Sequence, residues 1–491
     1  MKKKLFVIAT FIGFSPLLYS FCGFYVSKAD ATLKNKTSQV ILVRDGNRNV
    51  ITMYNDFKGE TKDFAMVVPV PVLLQKDDIK VIDQSVFQRL NEYSAPRLVE
   101  YYDENPCQPS YKREMSMSAK GNATILMDGV SENEVRKDYQ VKIEAKYLIG
   151  EYDILILSAK ESGGLKAWLT DNGYKIPEKA NEVLEPYIKS NLKFFVVKVN
   201  ADEKKKIAGN FLRPIQISFT SPKFMLPIRL GMANADGDQD LIVYAFSRKG
   251  RIECTNYRNV NIPTGNNVPL FVQKNFGAFY DNLFTHQWHN EAESVSFLEY
   301  AWDVSPANFY HCDPCIATAP SQQDLVQSGV WWLNQDWNDY KDIDNEDPST
   351  MGNKNVHFTR LHIRYNRNSF AQDLQFQVTP NTETFQARYV ITHPATGNFT
   401  CEAGKKYVED LKRRRKKELN ELTMLTGKNI DNWQFVAAEN KEANVDTAAQ
   451  YASILPAMHQ DEKNKQASTP LVALGLAALL GAGLMKWKGM I

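Results

Sequence analysis

The sequence predicts an α+β protein that is built mainly from antiparallel β-sheets with inserted helices and ends in a single C-terminal transmembrane helix. Three observations lead to this prediction. Short runs of β-branched and aromatic residues recur along the chain, helical patterns separate some of them, and an uncharged apolar run lies near the C-terminus. With 491 residues the chain is long enough for roughly two or three domains with their own cores.

Residues 1–20 have the pattern of a secretory signal peptide. Three lysines precede an apolar run over residues 5–19, and Ser20 is the small residue at which cleavage is expected. The alternative is an uncleaved anchor, which is less favoured because Pro16 interrupts the run and the run is short for spanning a bilayer. The mature chain is therefore expected to begin near residue 21.

A β-rich N-terminal domain is predicted for residues 21–108. Residues 39–43 and 49–53 have strong β propensity, and the Asp-Gly-Asn sequence between them is typical of a hairpin turn. Residues 67–72 contain two prolines, which donate no backbone hydrogen bond, so an edge strand or an extended exit from the sheet is predicted there. A polar loop follows at residues 109–138.

An α+β domain is predicted for residues 139–262 and an aromatic-rich β domain with a Cys-x-x-Cys motif for residues 263–402. In the first domain, strand patterns lie on either side of two helical patterns, residues 164–172 and 177–191. The aromatic residues of the second domain are either platforms for sugar rings or peptides or, as favoured, ordinary core residues. A short helix within it is predicted to begin with Ser321 as its N-cap.

All six cysteines lie in the predicted mature chain, and an even number of cysteines in an exported protein favours disulfide bonds. The sequence does not determine how they pair. The disulfide candidates are Cys22, Cys107, Cys254, Cys312, Cys315 and Cys401.

Cys312 and Cys315 form the Cys-x-x-Cys motif, for which three chemistries remain open. The favoured one is a structural disulfide. A redox pair of the thioredoxin kind needs its first cysteine at a helix N-terminus, and a proline follows this motif too soon for such a helix. A metal site is the third alternative, in which His286 and His289 would complete a tetrahedral zinc site with the two thiolates. Apart from this weak zinc candidate, no cofactor is expected.

The C-terminal part of the chain divides into three predicted segments. Residues 403–440 form a basic helical segment, whose cationic run at residues 412–417 is usually a solvated face and alternatively contacts anionic envelope polymers or lipid headgroups. Residues 441–468 are polar and are expected to form a flexible tether. Residues 469–488 are predicted to be a transmembrane helix or, alternatively, a sorting segment.

The two ends of the chain predict a single-pass protein of the cell envelope with its body on the extracytoplasmic side. Its expected partners are the membrane, through the C-terminal helix, and envelope polymers or other envelope proteins. Nucleic acid is excluded as a partner, because a formal net charge of +2 gives no concentrated basic excess over the whole chain.

The sequence contains no Gly-x-Ser-x-Gly, His-Glu-x-x-His or phosphate-loop motif. A non-enzymatic binding or structural ectodomain is therefore the favoured function. The alternative is a thiol oxidoreductase or a zinc-dependent enzyme that is built around Cys312 and Cys315.

Six segments carry a family resemblance: residues 21–31, 64–72, 94–102, 222–232, 299–302 and 312–315. They resemble the bacterial family known as domain of unknown function 2330, and the resemblance extends over nearly the whole predicted mature chain. It implies a bacterial exported protein. It transfers no catalytic residue to this chain.

Overall fold

The computed structural model describes residues 24–25, 34–35, 38–54, 57–58, 65–108, 141–172, 180–205, 212–233, 237–308, 312, 315, 317–333 and 354–428. The predicted signal peptide, polar loop, tether and membrane segment all lie outside these residues. The chain divides into two compact units, each of which combines three separate segments of the sequence. Unit 1 consists of Met1–Ala95, Ala123–Asn261 and Glu291–Gln386, and unit 2 consists of Pro96–Asn122, Ile262–Asn290 and Ala387–Ile491.

The largest sheet of unit 1 has nine strands and is mixed. Its strand order is β16-β17-β18-β14-β3-β4-β12-β7, with β20 beside β17. The pairs β3/β14 and β16/β17 are parallel, and the other pairs are antiparallel. The strands are β3 Ser38–Asp45, β4 Arg48–Tyr54, β7 Ile79–Val81, β12 Ile215–Thr220, β14 Gln239–Ser247, β16 Arg258–Asn261, β17 Val295–Asp303, β18 His357–Tyr365 and β20 Phe385–Gln386.

A second sheet of unit 1 has five antiparallel strands in the order β1-β6-β11-β10-β9. These strands are β1 Phe24–Tyr25, β6 Ala65–Val70, β9 Val141–Ile149, β10 Tyr152–Ala159 and β11 Lys193–Val199. Two small sheets complete the unit. They contain β2 Lys34–Asn35 with β5 Phe57–Lys58, and β13 Met225–Leu226, β19 Leu374–Val378 and β15 Ile252–Cys254.

The sequence predicts an edge strand or an extended exit from the sheet at residues 67–72. This prediction is wrong, because β6 is a central strand that lies between β1 and β11. Pro69 pairs with Phe194 of β11 on one side. On the other side, the two residues of β1 pair with Met66 and Val67 and do not extend to the proline. The missing N–H of Pro69 is therefore tolerated at a locally unpaired position of a central strand.

Unit 1 has four layers, because the two large sheets pack against each other and helices pack against the other face of each sheet. Alternate side chains of the nine-stranded sheet, such as Val40 and Leu42, pack against the five-stranded sheet, whereas Ile41 and Val43 pack under α1 and α6. The outer face of the five-stranded sheet is covered by α2 and α3, for example by Trp168. The helices are α1 Ser85–Ser94, α2 Ser162–Asp171, α3 Ala180–Lys189, α4 Ala201–Lys205 and α6 Gln322–Gln327.

Unit 2 contains a parallel pair of strands and two long helices. The strands are β8 (Arg97–Tyr102) and β21 (Arg388–His393), and the helices are α5 (Phe276–Asn290) and α7 (Glu402–Thr426). The core of this unit includes Tyr389 of β21, whose ring lies 5.0 Å from the ring of Phe279 on α5. Helices α5 and α7 contact each other directly.

The predicted α+β class is confirmed, with several antiparallel and mixed sheets and few helices. The hairpin predicted at residues 39–53 is present as β3 and β4, with Gly46 at φ +52° in the turn. Ser321 caps α6 as predicted, since its side chain accepts a hydrogen bond from the Asp324 backbone N–H. Over the residues that the structure describes, no helix is long and apolar enough to cross a membrane.

Candidate functional site

Helix α7 is the longest helix that the structure describes and carries the basic run of the sequence. Its start and end follow from local chemistry. Cys401 is the N-cap, and its sulfur accepts a hydrogen bond from the Gly404 N–H at 3.2 Å. Gly427 ends the helix in the left-handed conformation, at φ +65°, which a glycine adopts without a Cβ clash.

A disulfide bond between Cys107 and Cys401 ties the first turn of α7 to the segment that follows β8. The two Cα atoms are 5.9 Å apart. Gly404 makes room for this bond, since a Cβ on it would lie 2.6 Å from the Cys107 sulfur and 2.8 Å from the Phe399 Cα. The N-terminus of α7 is therefore fixed covalently as well as by its cap.

The inner face of α7 is held by a buried ion pair among apolar side chains. Arg415 donates to both carboxylate oxygens of Glu418, at 2.8 and 2.7 Å, and to the Thr392 carbonyl at 2.8 Å. Leu411 and Leu422 are buried on the same face. Burial raises the pKa of Glu418, against the opposing effect of Arg415.

A second clamp joins α7 to the end of β8. Arg414 donates to both carboxylate oxygens of Asp103, and the Tyr407 hydroxyl donates to one of them at 2.7 Å. Burial acts to raise the pKa of Asp103, but the hydrogen bonds from Arg414 and Tyr407 outweigh it and the pKa lies below its usual value. The acidic groups near α7 thus neutralise the two inward-facing arginines.

The outer face of α7 presents cations to solvent. We call this surface the basic face of α7, and it consists of the exposed residues Lys405, Lys406, Lys412, Arg413, Lys416 and Lys417. At 100° per residue these side chains fall on one side of the helix, opposite Arg415 and Glu418. Two exposed carboxylates, Glu402 and Glu409, lie among them.

The partners of these cations leave much of their charge uncompensated. Lys405 pairs with Glu402 at 2.7 Å, and Lys417 lies 3.5 Å from Glu421. Arg413 pairs with Asp410. Lys406, Lys412 and Lys416 have no carboxylate partner among the residues that the structure describes. A helix with a solvated row of cationic groups attracts polyanions or anionic surfaces.

Cys312 and Cys315 form a disulfide in the structure. Cys315 is exposed, whereas Cys312 packs in part against the core cluster that lies under α1 and α6. Zinc binds thiolates, so a metal site at this pair requires that the disulfide is first reduced. In the described part of the chain, no group of three or more His, Cys, Asp or Glu side chains is arranged to hold a metal ion.

The two histidines of the zinc hypothesis lie on α5, in unit 2, whereas the Cys-x-x-Cys pair belongs to unit 1. His286 packs against Gly427, the residue that ends α7. His289 lies beside Trp288, with ring centroids 5.0 Å apart. The zinc site stays a prediction that these positions do not test.

The remaining cysteine candidates are Cys254 and Cys22. Cys254 is a buried free thiol, and burial raises the pKa of that thiol. Cys22 lies outside the described residues. The sequence alone did not predict that Cys107 pairs with Cys401, because the two cysteines are 294 residues apart.

A buried network of charges in unit 1 was missed by sequence reasoning. His362 contacts Glu299 through Nδ1 at 2.8 Å and Asp240 through Nε2 at 3.3 Å. Arg364 donates to Asp240 at 2.8 Å, and Arg360 donates to Glu299 at 2.5 Å. The signal that could have revealed it is the Arg-Leu-His-Ile-Arg alternation of β18, which places three basic side chains on one face of a buried strand.

One family model matches residues 16–377 and is described as "Uncharacterized protein conserved in bacteria (DUF2330)". This match covers more than half of the chain and confirms the resemblance seen in the sequence. Strand β21, the Cys401 sulfur and α7 lie C-terminal to the matched residues. No curated protein and no solved structure shows significant similarity to the chain.

Proposed function

The chain belongs to the family of uncharacterized bacterial proteins known as domain of unknown function 2330, and we propose that it is an exported, membrane-anchored envelope protein whose folded part binds its partner without converting it. The observation that carries this proposal is the basic face of α7. The proposed partner of this face is the anionic lipid headgroup layer of the membrane that holds the C-terminal segment.

The size of the basic face suits a headgroup layer. The rise from Lys405 to Lys417 is about 18 Å along the helix axis, at about 1.5 Å per residue. Each lysine or arginine close to an anionic membrane contributes about 1 kcal/mol, so the six cations contribute at most about 6 kcal/mol. The carboxylates beside these cations, which include Asp410 and Glu421, reduce this value. Such an affinity is marginal for a free protein, and the apolar face of α7 is buried in unit 2 and does not insert.

The predicted tether makes a marginal affinity sufficient. A flexible chain of the length of residues 441–468 has a root-mean-square span of about 30 Å. A body held within that distance of a bilayer experiences an effective headgroup concentration in about the millimolar range or above. Anchoring by the C-terminal segment and contact through α7 then reinforce each other, and the rigid clamps on α7 avoid the entropy cost of ordering the helix on binding.

Lysine labelling of the full chain in proteoliposomes tests this proposal. Vesicles of phosphatidylcholine are compared with vesicles that also contain phosphatidylglycerol, and amine acylation is quantified by peptide mass spectrometry. Lys412 and Lys416 should react more slowly on the anionic vesicles, and about 0.5 M NaCl should restore their reactivity. The exposed Lys160 and Lys249 of unit 1 are the internal controls and should not respond. Equal labelling of Lys412 and Lys416 on both vesicle types would refute headgroup contact.

A thiol oxidoreductase is the second candidate function, and the exposure of Cys315 in the Cys312–Cys315 disulfide favours it. In that reaction the two thiols of a partner dithiol protein are oxidised to a disulfide while Cys312–Cys315 is reduced to two thiols. Incubation with reduced thioredoxin followed by thiol alkylation distinguishes the two roles. Rapid reduction of Cys312–Cys315 while Cys107–Cys401 stays intact supports the redox role, and equal resistance of both bonds counts against it.

A further inference from the structure

The parallel strands β8 and β21 of unit 2 end side by side in two aromatic residues. Tyr102 and His393 are register partners, so their side chains point to the same face of the strand pair. The phenol ring stacks on the imidazole with centroids 4.4 Å apart and planes inclined by 9°. One face of the Tyr102 ring is therefore covered by His393, while 70% of the residue remains exposed to solvent.

A carboxylate at the rim fixes the orientation of this stack. Glu100 accepts hydrogen bonds from His393 Nε2 at 2.8 Å, from Gln273 Nε2 at 2.8 Å and from the Tyr102 hydroxyl at 3.2 Å. The hydrogen bond from His393 lowers the pKa of Glu100, so the carboxylate is charged at neutral pH. Three different elements thus contribute to one exposed, ordered group of side chains. The stack of Tyr102 on His393 is therefore preorganised for binding.

Exposure of an aromatic ring at this position is not explained by packing. Four large apolar side chains are exposed among the residues that the structure describes, and two of them, Tyr101 at 51% and Tyr102 at 70%, are adjacent at the end of one strand. Tyrosines in exposed, well-ordered positions are enriched at binding surfaces, because they offer a large contact area at low entropic cost. The open face of the Tyr102 ring suits a ligand that is flat on one side.

We propose that unit 2 binds a pyranose glycan through Tyr102, whose open ring face stacks on the C–H face of one sugar ring while Glu100 and Gln273 hydrogen-bond its hydroxyl groups. This site is separate from the basic face of α7 and goes beyond the headgroup contact proposed above. It gives the protein a second partner, a neutral or N-acetylated polysaccharide.

The chemistry at the rim favours a sugar over the other ligands that stack on tyrosine. Vicinal hydroxyls both donate and accept, which matches a carboxylate, an amide and a phenol around one ring. An apolar peptide side chain would cover these groups without replacing their hydrogen bonds to water. A quaternary ammonium ion is usually enclosed by several aromatic faces, whereas this site offers one open ring.

Saturation-transfer NMR on the full chain tests the proposal with two probes, chitotetraose and cellotetraose, which differ in the N-acetyl group. At least one of them should receive saturation, strongest at the axial protons of one face of a sugar ring. Tyr102→Ala should weaken the binding about tenfold, whereas Tyr102→Phe keeps the stack and should retain most of it. Glu100→Gln should weaken binding several-fold, since it removes the charged acceptor.

Met424→Ala is the matched control, because Met424 is also exposed, at 67%, in unit 2 but lies on α7. It should bind like the parent protein. A probe concentration of about 10 mM lies well above the dissociation constant expected for a sugar that stacks on one ring. If neither probe received saturation at this concentration, the proposal would be overturned. Binding that is equal in the parent and in Tyr102→Ala would also overturn it, and so would transfer to choline with none to either glycan.

Discussion

The disulfide between Cys107 and Cys401 is expected to be the largest single contribution to the stability of unit 2. The perturbation is the double variant Cys107→Ala/Cys401→Ser. Serine keeps an oxygen at the N-cap of α7, where the Cys401 sulfur accepts from the Gly404 N–H, so the variant removes the cross-link and retains a cap. The effect then reports the cross-link alone.

The expected magnitude follows from the sequence separation of 294 residues. Closing a loop of that length in the unfolded chain costs about 5.7 kcal/mol in the chain-entropy model. Residual structure in the unfolded chain reduces this value, so we expect a loss of about 3 to 5 kcal/mol. One tenfold change in an equilibrium constant corresponds to about 1.4 kcal/mol, so local opening of α7 should become roughly 10²- to 4 × 10³-fold more frequent.

Hydrogen exchange with mass spectrometry measures this opening directly, peptide by peptide. Peptides of α7 should exchange faster in the variant by the stated factor, while peptides of β14 in unit 1 serve as the reference. The matched control is Cys312→Ala/Cys315→Ala. It removes a disulfide whose cysteines are only 3 residues apart in sequence, and it should cost about 1.6 kcal/mol in the same model. If α7 exchanged at the parent rate in the first variant, or if the control had the larger effect, the reasoning would be refuted.

Two further predictions concern single positions. Gly404→Ala should lower the stability of unit 2 by about 1 to 3 kcal/mol despite its better helix propensity, because the new Cβ meets the Cys107 sulfur at 2.6 Å; thermal unfolding checks this, and an unchanged midpoint contradicts it. Burial acts to lower the pKa of His362, but Glu299 and Asp240 outweigh it and raise the pKa above its usual value near 6.5. The stabilisation is therefore complete below about pH 6.5 and is lost as the pH rises through the folded-state pKa. The midpoint of thermal unfolding should decrease as the pH rises above about 6.5 in the parent protein and should change less in His362→Gln; parallel curves would show that this histidine is not responsible.

Structural elements that depend only on neighbouring residues could be predicted from the sequence. The turn between β3 and β4, the Ser321 cap of α6 and the helical character of the basic run each rest on contacts over a few residues. Such signals are readable because the turn glycine, the capping hydroxyl and the helical period act locally. The class α+β followed from the same patterns.

The environment of residues that depends on partners distant in the chain could not be predicted from the sequence. Pro69 of β6 suggests an edge strand, and only the short length of β1 explains why a proline is tolerated in a central strand. The Arg-Leu-His-Ile-Arg run of β18 resembles a solvated strand until Asp240 and Glu299 are placed opposite it. Charge in a sequence does not distinguish a solvated group from a buried, paired one.

The candidate sites divide in the same way. The sequence by itself determined that a cationic helix lies near the C-terminal end and that the chain has the family pattern of residues 16–377. The tertiary structure decided which cations of α7 face solvent, which cysteine closes its first turn, and that Tyr102 meets His393 at the ends of two strands. These strands pair across nearly 300 residues of chain, since the register matches Tyr102 with His393. Helix period and turn chemistry are local properties, whereas strand register and disulfide pairing are set by the packing of the whole unit, and no local pattern encodes them.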